Sequence, residues 1–297
     1  MRLTACTVAV DVGNTAVKLA VRQGDSIIDH WIAISCSDWH QRTVEWVRDR
    51  LGCKDTHWRI GSVHRGAAQR LMETVDRTAP DAKIDLVTFR DVPMEVAVDS
   101  PERLGIDRLL GAYAAYQTWG RSAAAPMVVV DAGSAVTVDW VDAKGCFCGG
   151  AILPGLSLQS RALATGTDAL PDIQWSDRAL QGDVPLPAKN TADAIYAGVL
   201  IGVASAIDGL TRRYIDAAAG HWMATASSKM APGKMGASAM DAVGGKEVAE
   251  SVPQPDAGSV LLVLTGGDSA TLSPYVQYRH HQKSNLVCRG LLNLPHL

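Results

Sequence analysis

The chain has 297 residues and a formal net charge of −3, which is enough for about two domains of ~150 residues and a sizeable core. The near-neutral charge argues against nucleic-acid binding. No apolar run approaches the ~18 residues that span a bilayer, so no membrane role is expected. The N-terminus lacks a secretory pattern, and the six cysteines include no C-x-x-C pair. We therefore expect free thiols and a cytoplasmic protein.

The first part of the chain alternates strand and helix signals. Three short strands are predicted within residues 7–33, with turns at Gly13-Asn14 and Gly24-Asp25. Ser37-Asp38 is a candidate N-cap for a helix that ends near Leu51. The further predicted elements are a strand at 58–63 and helices at 67–77 and 104–119. The order β-β-β-α-β-α predicts an α/β domain with a mixed sheet, over residues 1–120.

The second part, residues 121–297, repeats this opening. The predicted elements are strands at 127–131, 137–141, 149–153 and 260–264, and helices at 156–164 and 191–214. Small residues recur along the last of these helices (Ala194, Ala197, Gly198, Gly202, Ala206), which favours close helix packing, either internal or across a dimer seam. The segment 217–258, rich in Ala, Ser and Gly, is predicted to be a flexible insertion.

Two similar turns are the most informative motifs. Asp11-Val12-Gly13-Asn14-Thr15-Ala16-Val17-Lys18 and, about 120 residues later, Asp131-Ala132-Gly133-Ser134-Ala135-Val136-Thr137 each join two apolar strands. Glycine lets backbone N–H groups approach a phosphate, hydroxyl and amide groups donate further bonds, and the acid can hold a cation. A single D-x-G turn also suits an ordinary hairpin. Two copies predict a duplicated domain with a nucleotide between its halves.

Several polar residues have both a structural and a functional interpretation. Lys18 is a surface lysine or a group that stabilises transferring charge. Asp107 and Arg108 form a surface pair at a helix start, or else a general base and an anion-binding group. Asp131 is a turn acid or a cation ligand. Thr191 favours helix capping on local sequence alone.

In combination, these motifs resemble the type III pantothenate kinases, members of the acetate and sugar kinase, heat-shock chaperone ATPase and actin superfamily. The matching stretches follow the family order over most of the chain: 11–18, 101–108 (Pro-Glu-Arg-Leu-Gly-Ile-Asp-Arg), 131–137, 149–155 (Gly-Gly-Ala-Ile-Leu-Pro-Gly), 190–191 and 264–267. The resemblance implies two ribonuclease H-like domains of the actin-like ATPase fold. It also implies a cytoplasmic homodimer that uses ATP and Mg²⁺ to phosphorylate pantothenate, the first step of coenzyme A synthesis.

The same resemblance assigns roles to individual residues. It implies that Asp107 is the general base and that Asp131 binds a monovalent cation, K⁺ or NH₄⁺. The implied ATP contacts are Asp11, Val12, Gly13, Asn14, Thr15, Ala16, Val17, Lys18 and Ser134. The implied pantothenate contacts are Gly105, Ile106, Asp107, Arg108 and Thr191.

The chain departs from the family pattern at two positions. Val98 stands where the family usually has a tyrosine that lines the pantothenate pocket, and Ser134 stands where threonine is usual. Val98 therefore keeps open a kinase for another small hydroxylated acid. Some proteins with this resemblance are described as accessory factors in transcription, so a nucleotide-binding module of that kind also stays open. Asp107 and Lys18 favour an enzyme, because a binding module needs no base beside its phosphate site.

Overall fold

The structure is a computed structural model that describes residues 6–51, 56–173, 175, 184, 186–220 and 260–295. Within these ranges the chain forms two five-stranded mixed sheets with helices packed on them. The strands are β1 (Cys6–Val12), β2 (Ala16–Gln23), β3 (Ser26–Ala33), β4 (Thr56–Ser62), β5 (Lys83–Leu86), β6 (Met127–Ala132), β7 (Ala135–Val141), β8 (Phe147–Pro154), β9 (Leu261–Thr265) and β10 (His280–Gln282). The helices are α1 (Trp39–Leu51), α2 (Arg65–Thr78), α3 (Ile106–Ala115), α4 (Arg121–Ala123), α5 (Leu156–Gly166), α6 (Thr191–Ala218), α7 (Ser269–Leu272) and α8 (Leu286–Asn293).

The two sheets have the same topology. The first runs β3-β2-β1-β4-β5 and the second β8-β7-β6-β9-β10. In each sheet the first three strands are antiparallel, and the last two add in parallel. This repeat confirms the prediction of two duplicated α/β domains of the ribonuclease H-like type.

Small residues let helices approach the first sheet closely. One face of this sheet packs its valines and leucines against α1 and α2. The other face presents Ala9 and Ala20 to α3 and α8. A Cβ added to Gly290 in α8 would lie 2.4 Å from the carbonyl oxygen of Leu110 in α3, so glycine permits this helix contact. Helix α8 thus packs with the first sheet, although it lies near the end of the second predicted domain. The predicted domain boundary at residue 120 stays a prediction.

Helix α3 joins the two halves of the molecule. Its buried residues Leu109 and Leu110 belong to one apolar cluster that includes Ala9 of the first sheet and Val129 of the second. The first turn of α3, which carries Asp107, is therefore held where both sheets meet.

Helix α6 covers the second sheet. It buries Ile195, Leu200 and Ile207 against β6, β7 and β9. Its best 18-residue window has a mean hydropathy of 1.6, so by length and composition it could cross a membrane, and 50% of that window is buried in the fold. The expectation that no segment is apolar enough is thus wrong for this helix. The buried half of the window packs in the core of the second sheet.

The predicted elements agree with the structure in most places. The helix predicted at 104–119 begins at Ile106 and continues through a π-helical turn, Tyr116–Gly120. The sequence analysis missed the edge strands β5 and β10, which contain only four and three residues. Helix α6 includes the first residues of the predicted 217–258 insertion, and residues 221–258 of that segment lie outside the described residues.

Arg59 fixes the C-terminal end of α8 to β4. Its buried guanidinium donates to the carbonyl oxygens of Leu291, Leu294 and Pro295 at 3.0, 2.6 and 2.9 Å. We predict that Arg59→Met lowers the free energy of unfolding by about 2–4 kcal/mol, because buried carbonyls left unpaired cost about 1–3 kcal/mol each. Urea denaturation measures the change. Arg48→Met, on the exposed side of α1, is the control, and equal denaturation midpoints for the two variants would contradict the prediction.

Candidate active site

The two D-x-G turns meet at the junction between the sheets. In the first turn the N–H of Gly13 donates to the carbonyl of Ala16 at 3.1 Å, and in the second that of Gly133 donates to Ala135 at 3.0 Å. The hydroxyls of Thr15 and Ser134, one from each turn, lie 2.7 Å apart. The two turns therefore form opposite walls of one cleft, as the duplicated motif predicts.

The cleft encloses a cavity of about 400 Å³ that collects most of the predicted site residues. The predicted residues that line it are Asp11, Gly13, Asn14, Thr15, Ala16, Lys18, Asp107, Arg108, Asp131 and Ser134. The second sheet and its connections add Ser157, Leu158, Arg161, Gly267 and Asp268. Residues far apart in sequence thus converge on one volume of a size suited to a small ligand.

Two glycines allow backbone to approach the second turn. A Cβ on Gly155 would lie 2.2 Å from the carbonyl oxygen of Gly133. Gly266 has φ +94°, a conformation that favours glycine, and a Cβ there would lie 2.5 Å from a carboxylate oxygen of Asp131. These contacts explain why the Pro154-Gly155 and Gly266-Gly267 segments accompany the turn.

Acidic groups crowd around Lys18. Its ammonium lies 3.8 Å from the Asp11 carboxylate. Burial raises the pKa of Asp11 to about 7; Lys18 opposes the shift, and Asp107 and Asp131 add to it. Burial also raises the pKa of Asp131, again against the effect of Lys18. For Lys18 burial acts to lower the pKa, but Asp131 and Asp11 outweigh it and the net shift is upward. Lys18 is thus a firmly charged cation among carboxylates.

Asp107 lies in the first turn of α3, with its carboxylate in the cleft. Its Oδ1 accepts the backbone N–H of Arg108 at 2.8 Å. A Cβ on Gly105 would come within 2.6 Å of the same oxygen, so glycine leaves room for this carboxylate. The interpretation of Asp107 and Arg108 as an ion pair is wrong, because the Arg108 guanidinium pairs with Asp139 instead.

Five predicted site residues lie outside the cleft lining. Val12 and Val17 are buried in the core beneath the first turn. Gly105 and Ile106 line a neighbouring cavity of about 710 Å³. Thr191 is exposed at the start of α6. Its capping interpretation is wrong, because Asn190 is the N-cap and its side chain accepts the N–H of Asp193 at 2.9 Å.

Sequence reasoning missed three charged residues at the site, Asp139, Arg161 and Asp268. Asp139 sits on β7 two residues after Thr137, in a strand that is otherwise apolar on its buried positions. An acid inside such a strand is itself a signal, because charged side chains are rarely buried without a partner. Arg161 lies one helical turn after Ser157, and both line the cleft.

The carboxylates that line the cleft suit metal ions that enter together with a ligand. In the part of the chain that the structure describes, no group of three or more His, Cys, Asp or Glu side chains could hold a metal ion by itself. The carboxylates of Asp11, Asp107 and Asp131 nevertheless line one cavity. Carboxylate oxygens suit Mg²⁺, which usually binds through one or two carboxylates together with substrate phosphates. The cleft therefore fits a metal–nucleotide complex better than a metal alone.

Comparison with known proteins identifies relatives over most of the chain. The sequence model of a family described as type III pantothenate kinase matches residues 7–213. A type III pantothenate kinase of Rhodopirellula baltica is 39% identical over 235 residues, covering 71% of this chain and 84% of the relative. One of Herminiimonas arsenicoxydans is 28% identical over 300 residues, covering 95% of this chain and 94% of the relative.

A search of solved structures gives more distant similarity. Component A of (R)-2-hydroxyglutaryl-CoA dehydratase from Acidaminococcus fermentans has a TM-score of 0.49 and 14% identity, covering 98% of this chain and 96% of its own. A similarity of this size says nothing about activity.

The raised pKa of Asp11 predicts how stability depends on pH. Its ordinary value is 3.8 and its folded value is about 7, so between these values the folded state holds a proton that the unfolded state releases. Raising the pH through this window therefore lowers the free energy of unfolding. In metal-free buffer we expect Asp11→Asn to lose less stability than the wild type between pH 4.5 and pH 8, measured by urea denaturation. Asp25→Asn, in an exposed turn, is the control, and identical slopes for wild type and Asp11→Asn would refute the assignment.

Proposed function

Because this chain belongs to the type III pantothenate kinase family, we propose that it transfers the γ-phosphoryl group of ATP to the primary hydroxyl of pantothenate. The product is 4′-phosphopantothenate, in the first step of coenzyme A biosynthesis. The observation that carries the proposal is the single cleft that brings together both D-x-G turns, Lys18 and Asp107. A phosphate-binding cleft with a carboxylate at its edge has the parts that phosphoryl transfer to an alcohol requires.

The two turns hold the phosphate end of ATP. Backbone N–H groups of the first turn and the hydroxyls of Thr15 and Ser134 are donors for phosphate oxygens. The Thr15–Ser134 contact of 2.7 Å supports the binding of one triphosphate by both hydroxyls. Lys18, kept charged by its acidic neighbours, stabilises the charge that develops on the transferred group.

Asp107 receives the proton of the acceptor hydroxyl. As the hydroxyl oxygen bonds to the γ-phosphorus, the bond to the β–γ bridging oxygen breaks, ADP leaves, and the hydroxyl proton passes to Asp107. The transition state is loose, so alignment and electrostatics contribute more than proton removal. Arg108, beside Asp107 in α3 and also in the cleft, binds the pantothenate carboxylate.

The charge of the cleft requires cations for nucleotide binding. Four carboxylates, those of Asp11, Asp107, Asp131 and Asp268, line the cavity. They outnumber the cationic side chains that line the same cavity, Lys18, Arg108 and Arg161, so such a cleft would repel a polyanionic triphosphate. Asp11, which lines the cavity, would hold Mg²⁺, and the bound metal would neutralise phosphate charge. We assign the monovalent cation, K⁺ or NH₄⁺, to Asp131, whose carboxylate lies against the Gly266 backbone.

An exposed face of α6 supports a homodimer. Ala194, Gly198 and Gly202 lie on this face, and a Cβ added at either glycine would meet no atom within 4 Å. Thr191 is exposed at the start of α6 and does not line its own chain's cleft, so in the proposed dimer it would contact the substrate of the second protomer. Sedimentation velocity tests this; a monomer at micromolar concentration would rule the dimer out.

Two further assignments depend on this function. In the described ranges Cys6, Cys36, Cys146, Cys148 and Cys288 form no disulfide bond, which supports a reducing cytoplasm. Val98 lies against the Gly149 backbone, close to the start of β8, and keeps a second acceptor possible: another small hydroxylated acid. A screen of hydroxy acids with ATP separates the two acceptors.

The direct test is a phosphorylation assay. Purified protein is incubated with ATP, Mg²⁺, K⁺ and pantothenate, and 4′-phosphopantothenate is measured by mass spectrometry. Absence of product under every cation condition, with nucleotide bound, would leave a nucleotide-binding module such as an accessory factor in transcription.

Asp107→Asn tests the general base. The amide keeps the size of the side chain but cannot accept the proton, so we expect kcat to fall by about 10²–10⁴-fold. ATP affinity, measured by calorimetry, should change little. Equal loss of turnover and of nucleotide binding would instead indicate a structural role at the start of α3.

Replacement of K⁺ by Na⁺ tests the role of Asp131. If its carboxylate holds a selective monovalent cation, kcat/KM should fall on the exchange at constant ionic strength. Asp131→Asn should abolish the difference between the two salts. An enzyme that works equally well in K⁺ and Na⁺ would remove this assignment and leave the base unaffected.

A further inference from the structure

Asp139 is a carboxylate next to the cleft that is almost inaccessible to solvent, with its side chain 2% exposed. Its Oδ1 and Oδ2 accept from Nε of Arg108 at 3.0 and 3.3 Å. Nη2 of Arg108 also donates to Oδ1. One edge of the guanidinium is therefore fully used by one carboxylate.

The surroundings of this pair hold the guanidinium on a second side. Its plane lies over the Phe147 ring, 5.6 Å from the ring centroid. Among the described residues the guanidinium bonds of Arg108 run from Nε and Nη2 to Asp139. Nη1 is thus left for a ligand in the cleft, at a fixed position.

The backbone is shaped around Asp139. Gly150 of β8 pairs with Asp139 of β7. A Cβ on Gly150 would lie 2.4 Å from Oδ1 of Asp139 and 2.3 Å from the carbonyl oxygen of Val138. Only glycine lets the edge strand close over the ion pair at this point. Burial raises the pKa of Asp139, while its bonds to Arg108 oppose the shift.

Such an arrangement is hard to explain by stability alone. Buried ion pairs contribute little net free energy, because removing both charges from water costs about as much as their attraction returns. The pair is also adjacent to the proposed chemistry: Arg108 follows Asp107 directly, and both line the cleft.

We propose that Asp139 is a positioning residue that fixes the Arg108 guanidinium, so that Nη1 receives the acceptor's carboxylate while Asp107 faces its hydroxyl. The proposal rests on the proposed function. Asp139 neutralises the charge of Arg108. The carboxylate of the acceptor is therefore recognised by the fixed position of the Nη1 donor and not by an excess of positive charge. Asp139 therefore governs selection of acids over neutral analogues and does not affect ATP.

The test uses two substrates and a double-mutant cycle. The substrates are pantothenate and its alcohol analogue, in which CH₂OH replaces the carboxylate. The proteins are the wild type, Asp139→Asn, Arg108→Gln and the double variant. We expect Asp139→Asn to lower kcat/KM for pantothenate by about 10–100-fold, the range for a lost charged hydrogen bond. The value for the alcohol and the KM for ATP should change less than about threefold.

Coupling decides whether Asp139 acts through Arg108. If it does, the double variant loses no more kcat/KM for pantothenate than Arg108→Gln alone. If the two losses multiply, or if pantothenate and the alcohol lose equally, the proposal is wrong. Should Asp139→Asn fail to fold because Arg108 is left unpaired, comparison of Arg108→Gln with the uncharged double variant gives the same decision.

Asp142→Asn is the matched control. This carboxylate, at the other end of the β7–β8 hairpin, accepts the N–H groups of Lys144 and Cys146 at 2.9 and 2.8 Å. Its loss should affect stability without changing the ratio of acid to alcohol turnover. A similar change of that ratio in Asp142→Asn would mean that the hairpin, not Asp139, is responsible. A wild type that does not phosphorylate pantothenate overturns the proposed function itself, whereas an active wild type with multiplicative losses overturns only the role of Asp139.

Discussion

The crowding of like charges around Lys18 is the constraint on which the site depends. Asp11, Asp107 and Asp131 line one small cavity, and burial raises the pKa of both Asp11 and Asp131. Carboxylates held this close disfavour each other's ionisation. One ammonium cannot neutralise three of them, so the cleft is electrostatically incomplete without further cations. A site of this kind binds a polyanion only together with metal ions, which links nucleotide binding to cation binding.

The fold supplies this crowding through duplication. Each sheet ends its first strand in an acid and turns through a glycine, and α3 is held by one apolar cluster that includes residues of both sheets. The third acid, Asp107, therefore reaches the cleft from the element that joins the halves. Core packing, rather than attraction between the site residues, brings these carboxylates together.

The sequence predicted what strong local patterns encode. The three antiparallel strands of each half, their turns and α1, α2, α5 and α6 follow from alternation, caps and glycines. The edge strands β5 and β10 are too short for a pattern, because pairing with one neighbour in the finished sheet defines them. Asp139 could not be predicted for the same reason, because its role depends on contact with Arg108, 31 residues away in sequence. Val12 and Val17 show the opposite error. They were predicted to contact ATP because they belong to the first D-x-G motif, but their side chains are buried in the core.

The charges around Lys18 and those around Arg108 are arranged differently in the cleft. Around Lys18 the carboxylates outnumber the ammonium group. Under the proposed function, bound cations and phosphates would balance this excess negative charge. Arg108 is already neutralised by Asp139, so under the proposed function recognition of the acceptor depends on where the remaining N–H of Arg108 points. Under the proposed function Val98, which lies beside Gly149, would change the acceptor site without altering the charge at Lys18. Acceptor preference can therefore change while the phosphoryl-transfer residues stay as they are, because the two ends share a cavity but not a charge balance.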